Sequence, residues 1–209
     1  EEVKKYFLKR QEETSNSFFV DELDKEKIFS LVYNDFTTHG QAAIPKKHAE
    51  FVYSFLRDNK IKKTIETGFA TGTSSACIIA ATGQTHIAVD PFEGSAYKNI
   101  GIDNLRKLGF LDYLQLYREP SFFALPKMLK NGQKFDFAFI DGSHIFDDVF
   151  LDFFYIDKML EDGGYVFFHD EHLDSVKLAT SFIKSNREDY RQIPVVEDIV
   201  AFKKIGKDK

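Results

Sequence analysis

A single cysteine in 209 residues, Cys77, excludes an intramolecular disulfide, and a chain without one is expected in a reducing, cytoplasmic compartment. Long apolar runs are missing too. None approaches the roughly 20 residues of a membrane helix, and the charged start EEVKKYFLKRQEE lacks the apolar stretch of a signal peptide, so no membrane partner is expected. Positive charge is in deficit. Against 33 Asp and Glu stand 28 Lys and Arg, and the net charge of −5 would repel phosphates, so no nucleic-acid partner is expected either. Repeats, low-complexity tracts and flexible linkers are absent. Phenylalanine is abundant, with 23 residues, and reads as core and sheet packing rather than as a binding surface. The length suits one α/β domain with a large core.

Residues 1–59 read as a helical cap or lid within that domain, with Ala49, Val52, Tyr53 and Leu56 at the i, i+3, i+4, i+7 spacing of a buried helical face after Pro45. From residue 60 onward, short apolar runs alternate with helical stretches: Thr64–Glu66, Thr85–Asp90, Tyr113–Tyr117, Phe135–Asp141 and Tyr165–His169. Five strands spaced by helices predict a parallel sheet covered on both faces. Gly163 and Gly164 are expected to end the helix that begins near Asp147, and Ser175–Asn186 reads as a further helix. Arg191–Val196 and Ile199–Lys204, separated by Glu197 and Asp198, then predict a closing antiparallel hairpin. The expected fold is therefore Rossmann-like and doubly wound, a mostly parallel seven-stranded sheet ending in a hairpin.

The stretch Lys63–Ser75, KTIETGFATGTSS, concentrates chemistry. A strand runs into Glu66, then into Gly68 and Gly72, and the next helix opens with Thr73 and Ser74, presenting unpaired N–H groups. The acid repels a pyrophosphate but accepts hydrogen bonds from an ammonium or a sugar hydroxyl. A nucleoside carrying a cationic amino acid fits better than a dinucleotide. Asp90, closing the strand HIAVD, supplies a carboxylate for both hydroxyls of a ribose. A second cluster comprises Asp141, His144, His169 and Asp170. Asp141 ends one strand and His169-Asp170 the next, so in a doubly wound sheet their side chains can meet at about 5 Å spacing.

The order and spacing of ETGFATGTS, HIAVD, SFFALP, FDFAFIDGSH and LEDGGYVFFHD over residues 45–204 resemble the class I S-adenosylmethionine-dependent methyltransferases, specifically a small group with an I-D-G-x-H motif after the fourth strand. The resemblance implies that Glu66, Gly68 and Gly72 hold the methionine part, that Thr73 and Ser74 also belong to the cofactor site, that Asp90 holds the ribose, and that Ser121 lies near the adenine. Asp141 would face the sulfonium and the acceptor. One departure stands out: the residue before the serine is commonly acidic, and here it is Pro120.

Resemblance to metal-dependent O-methyltransferases implies a divalent cation on Asp141, His169 and Asp170, lowering the pKa of an acceptor hydroxyl. The imidazole departs from their pattern and shifts the expected ion from magnesium toward manganese, iron or zinc. A metal-free reading makes His144 or His169 the general base with Asp170 orienting it. A structural reading makes His169 a packed strand-end residue and Asp170 a helix cap. The expected activity is O-methylation of a small-molecule acceptor. The alternatives are a metal-dependent hydroxylase on the same fold and a non-catalytic binding module. His39 reads as a solvated loop residue, with reach over the cofactor as the alternative; His48 and His86 read as surface or strand-edge residues; His172 lies near enough to the cluster to be a spare ligand but is not expected to be one; and Cys77 reads as a buried structural residue. Phe18, Phe19, Val20 and Leu23 suit a lid or a homodimer contact, and equally core packing.

Overall fold

The computed structural model describes residues 29, 30 and 43–206, so His39 and the proposed lid residues Phe18, Phe19, Val20 and Leu23 lie outside the described residues. In chain order the elements are α1 (Lys46–Asp58), β1 (Thr64–Thr67), α2 (Thr73–Thr82), β2 (His86–Val89), α3 (Ile100–Leu108), β3 (Leu114–Tyr117), α4 (Ser121–Lys130), β4 (Phe135–Ile140), α5 (Phe146–Met159), β5 (Leu160–His169), α6 (Asp174–Asn186), β6 (Tyr190–Ile193) and β7 (Ile199–Lys204). The strands form one sheet in the order β3-β2-β1-β4-β5-β7-β6. β1 pairs parallel with β4 and β4 with β5, whereas β7 runs antiparallel to both β5 and β6. The expected seven-stranded α/β sheet with a closing hairpin is the observed one.

The chain forms two compact units that interleave in sequence. Among the described residues, the first holds those up to Lys62, Phe69–His86 and Phe92–Gln115. In it α1 buries the predicted stripe Ala49, Val52, Tyr53 and Leu56, and α1 packs on α2, which is buried along its whole length. A helix buried all round has no polar face, which is why TSSACIIAAT carries no charge. Cys77 sits there, fully buried as expected.

The second unit holds Lys63–Gly68, Ile87–Pro91 and everything from Leu116. Its core joins Ile65, Val89, Ala138 and Val166 of the strands to Leu125, Phe153, Ile156 and Ile183 of α4, α5 and α6. Buried charge locks the hairpin onto this core: Asp157 Oδ1 accepts from the Tyr190 hydroxyl at 2.8 Å and pairs with Arg187 and Lys204, each at 3.1 Å. Such a network is costly to break from one side, because the remaining charges stay buried.

Two expectations need correction. Gly163 and Gly164 do not end α5, which stops at Met159; they lie inside β5, where pairing with β4 jumps from Phe135–Leu160 to Phe137–Tyr165. Gly163 takes φ +87, and a Cβ on Gly164 would stand 2.9 Å from the Glu161 carbonyl oxygen, so the pair serves a bulge. His48 and His86 are not surface residues: they are 5% and 0% exposed.

Candidate active site

Strand ends position the candidate side chains. In the second unit, Glu66 is buried in β1, Asp90 follows β2 and donates its N–H to the Tyr117 carbonyl of β3 at 3.0 Å, and Asp141 follows β4 with its N–H on the Thr67 carbonyl at 2.9 Å. Ser121 opens α4 just beyond β3. Glu66, Asp90, Ser121 and Asp141 thus stand at the carboxyl ends of four adjacent strands, β1, β2, β3 and β4, the edge where open α/β sheets bind ligands. Gly72, Thr73 and Ser74 belong to the first unit, where Gly72 takes φ +74 before α2 and the Thr71 and Thr73 hydroxyls stand 2.9 Å apart.

Gly68 is also required by the chain's own packing. At φ +90, a Cβ there would stand 2.2 Å from the Asp141 carbonyl oxygen and 2.8 Å from the Gly142 Cα. The room the glycine makes is filled by the backbone that carries Asp141. Likewise, a Cβ on Gly72 would stand 2.6 Å from Leu105 Cδ1.

The second cluster does assemble, with a particular pairing. His169 Nδ1 lies 3.0 Å from Asp141 Oδ1 and 3.3 Å from Asp170 Oδ1, and the ring is buried. His144 Nε2 lies 2.7 Å from Asp170 Oδ2 and keeps 53% of its side chain exposed. The loop carrying His144 is fixed locally: Ser143 Oγ donates to Asp148 Oδ2 at 2.7 Å, and Ser175 Oγ donates to the His144 carbonyl at 2.7 Å. Asp170 takes φ +57 and is held by the Leu173 N–H on its carbonyl at 2.9 Å.

Three donors, from Asp141, His144 and Asp170, lie within 4.8 Å of one another, as do those of His169, Asp170 and Asp198. In the set expected from sequence, Asp141, His169 and Asp170, the His169 Nδ1 lies at ion-pair distance from both carboxylates. The imidazole that converges with Asp141 and Asp170 is His144, whereas His169 converges with Asp170 and Asp198.

The electrostatics follow this geometry. Burial pushes the His169 pKa down, but the ion pairs with Asp141 and Asp170 outweigh it and raise the pKa to about 10. Asp170 is held below the usual carboxylate range by His169, against its own burial, whereas burial raises Asp141 against the pull of His169. At neutral pH His169 is an imidazolium. Because its folded pKa exceeds the unfolded value, the stability it contributes is fully present below about pH 6.5 and is lost as pH rises toward about 10. Denaturant unfolding at pH 7, 8.5 and 10 is expected to show this decline, and His169→Gln to flatten it.

Asp198 joins this cluster although the sequence reading did not name it, because Glu197-Asp198 was legible only as a hairpin turn. Its Oδ1 accepts from the His172 N–H at 2.9 Å and lies 2.7 Å from His172 Nδ1, while its carbonyl accepts from the Glu171 N–H at 3.3 Å. The turn thereby clamps the segment that follows Asp170. His172 is paired with Asp198. Asp152, buried in α5 beside Thr67 and Ser121, was also missed; its position in the run FDDVFLDFF resembles an ordinary polar interruption of an apolar helix.

Comparison with known proteins agrees with this fold. No curated protein matches the chain in sequence. Among solved structures it is similar to the O-methyltransferase TomG from Streptomyces achromogenes, involved in tomaymycin synthesis and in complex with SAM, at 14% identity and a TM-score of 0.69 over 90% of this chain and 92% of that one. It is also similar to the O-methyltransferase from Bacillus cereus in complex with SAH, at 12% identity and a TM-score of 0.66 over 96% and 100% of the two chains. The SAH-bound methyltransferase PaMTH1 from Podospora anserina matches at 12% identity and a TM-score of 0.69 over 93% and 100%. Identities this low establish the shared fold. Residues 65–171, about half of the chain, match the family profile described as "Methyltransferase domain", and they run from β1 through the Asp141–His144 motif to just past Asp170. The chain belongs to the methyltransferase domain family.

Proposed function

We propose that this chain is an S-adenosylmethionine-dependent O-methyltransferase that acts on a hydroxyl of a small molecule. The observation that carries this reading is the His144–Asp170 pair at 2.7 Å, beside Asp141 at the strand-end edge that also bears Glu66 and Asp90. Glu66 suits the ammonium of the donor's methionine part, and Asp90 the ribose hydroxyls. The donor supplies an activated methyl on a sulfonium.

The chain's own task is to orient the acceptor and remove its proton. With its Nε2 proton on Asp170, His144 keeps the lone pair on Nδ1. That nitrogen takes the acceptor's hydroxyl proton. The acceptor oxygen forms the bond to the methyl carbon while the carbon–sulfur bond breaks, its electron pair returning to sulfur and leaving S-adenosylhomocysteine. Asp170 compensates the imidazolium that forms, and Asp141, on the adjacent strand end, faces the acceptor. A small-molecule partner and a cytoplasmic setting belong to this reading.

A divalent cation is the competing reading, and the residues fit it in number and type: two carboxylates and one imidazole converge. Asp141, His144 and Asp170 would hold the ion, which would polarise the acceptor hydroxyl. Against it, His169 already stands at 3.0 and 3.3 Å from the same two carboxylates and supplies a compensating charge. The test is methyl transfer from labelled donor to a panel of phenolic and sugar hydroxyls, with and without prior treatment by a chelator. Turnover that survives chelation supports the His144 base. Turnover lost on chelation and restored by one divalent ion assigns the three residues as ligands instead, and no transfer to any hydroxyl defeats O-methylation.

A further inference from the structure

Helices that cover a sheet ordinarily turn their polar side outward, and the outer surface of the second unit departs from that pattern. Six of the nine large apolar side chains exposed among the described residues sit on three helices: Phe122 and Phe123 on α4, Leu151 and Phe154 on α5, and Leu178 and Phe182 on α6. α5 packs against both of the others. Its inner residues Val149, Phe153 and Ile156 already fill the core, so the outer ones add nothing to it. Phe150, half-buried, carries the apolar surface across to α6, its ring meeting that of Phe182 edge-on at 5.1 Å. Four of the six are phenylalanines, outside the core and sheet packing that composition predicts.

The extent of this face matches one half of a dimer contact. Each of the six residues is between 37% and 59% exposed, which for side chains of this size leaves roughly 500 Å² of apolar surface in water. That is near the upper end for a monomer. A standard interface covers about 800 Å² on each partner, and in homodimers about 65% of it is apolar.

The pattern along α5 indicates the occupant. Its exposed residues Asp147, Leu151, Phe154 and Lys158 follow one another at spacings of four, three and four, the seam of a coiled coil. The seam is symmetric about its own midpoint. An antiparallel copy of the helix therefore sets Leu151 against Phe154 and Asp147 against Lys158, twice each, so every acid meets a base. A parallel copy would set like charge on like charge. Lys158 Nζ stands 4.1 Å from the centre of the Phe154 ring, which keeps the ammonium on the seam.

We propose that the outer face of α4, α5 and α6 is the interface with a second copy of this chain, formed by antiparallel contact of α5 with α5 about a two-fold axis. The same patch serves both copies, so the contact closes at two. Nothing in it depends on the reading of the strand-end site.

The experiment is sedimentation equilibrium of the full chain. The wild type is expected at twice its chain mass of 24.1 kDa. Concentrations up to about 100 μM cover the affinities that an interface of this size spans. Leu151→Lys puts a charge into the central layer and is expected to weaken the dimer at least ~100-fold. Asp147→Lys and Lys158→Glu each juxtapose like charges twice and are expected to weaken it ~10-fold. An equimolar mixture of these last two variants is expected to recover near wild-type affinity as a heterodimer, because each substituted residue then meets the opposite charge. A folding defect would not be cured by mixing. A wild type that stays monomeric throughout overturns the proposal, and is the result expected if a different protein occupies the face. A dimer indifferent to Leu151→Lys overturns it too, and so does a mixture that recovers nothing of what the single variants lose.

Discussion

Replacing His144 with alanine is expected to lower kcat by about 10²- to 10³-fold while leaving the affinity for S-adenosylhomocysteine within about twofold of the wild type. The reason lies in where the side chain stands. It is 53% exposed and bonded through Nε2 to Asp170, so its loss removes a proton acceptor without opening the core. Melting temperature should therefore stay near the wild-type value. Asp170→Asn should also slow turnover, because an amide in place of the carboxylate no longer fixes the imidazole tautomer or compensates its positive charge. The double variant should cost little more than His144→Ala alone, since two residues that act as one unit are not additive. The measurement is single-turnover methyl transfer alongside calorimetry with the product. Wild-type turnover in His144→Ala would remove the imidazole from the mechanism and return the role of base to the acceptor's own solvent or to a metal-bound state.

Gly68→Ala is expected to destabilise the fold by about 4 kcal/mol or more, lowering the melting temperature by roughly 10 °C. Two costs combine. A φ of +90 is poorly accessible to a residue with a Cβ, and the added carbon would lie 2.2 Å from the Asp141 carbonyl oxygen and 2.7 Å from its carbon. Both obstacles are main-chain atoms, so no rotamer change relieves them. Gly68 donates its N–H to Val89 O at 2.9 Å, and Asp141 donates to Thr67 O at 2.9 Å, so both sides of the clash are pinned by the sheet. The least costly relaxation moves the Asp141 loop. A shift of about 1 Å there should also cost roughly 10²-fold in turnover. Gly132→Ala is the control: its φ is +71, yet nothing lies within 4 Å of the added carbon, so it carries strain without collision and should cost only ~1 kcal/mol. Similar losses at the two positions would show that backbone strain, not the contact with Asp141, makes Gly68 a glycine.

Much of the frame was legible in the chain because local patterns encode it. Apolar runs such as FDFAFI and HIAV are strands by composition, and those whose ends carry Glu66, Asp90, Asp141 and His169 were readable in order. The hairpin was signalled by Glu197-Asp198, and the α1 stripe by its 3.6-residue period. Other signals misled. The Gly163-Gly164 pair looks like a helix stop, but a bulge uses the same conformational freedom, and only pairing with β4 distinguishes the two. His48 and His86 looked solvated because histidine is polar, yet both are buried, since burial depends on what packs over a position rather than on the residue itself.

Sequence by itself determined the order of the strands' end residues, and with it the set Glu66, Asp90, Asp141, His144, His169 and Asp170, because a parallel strand points its carboxyl end the same way each time. Tertiary structure alone decided how that set is wired: His169 between two carboxylates, His144 on Asp170, Asp198 clamping the segment after it, and Gly68 against Asp141. Those pairings join residues far apart in the chain, and differences of a few tenths of an ångström decide which nitrogen meets which oxygen. Strand composition and spacing do not carry that information; the packing of β4, β5 and the hairpin does.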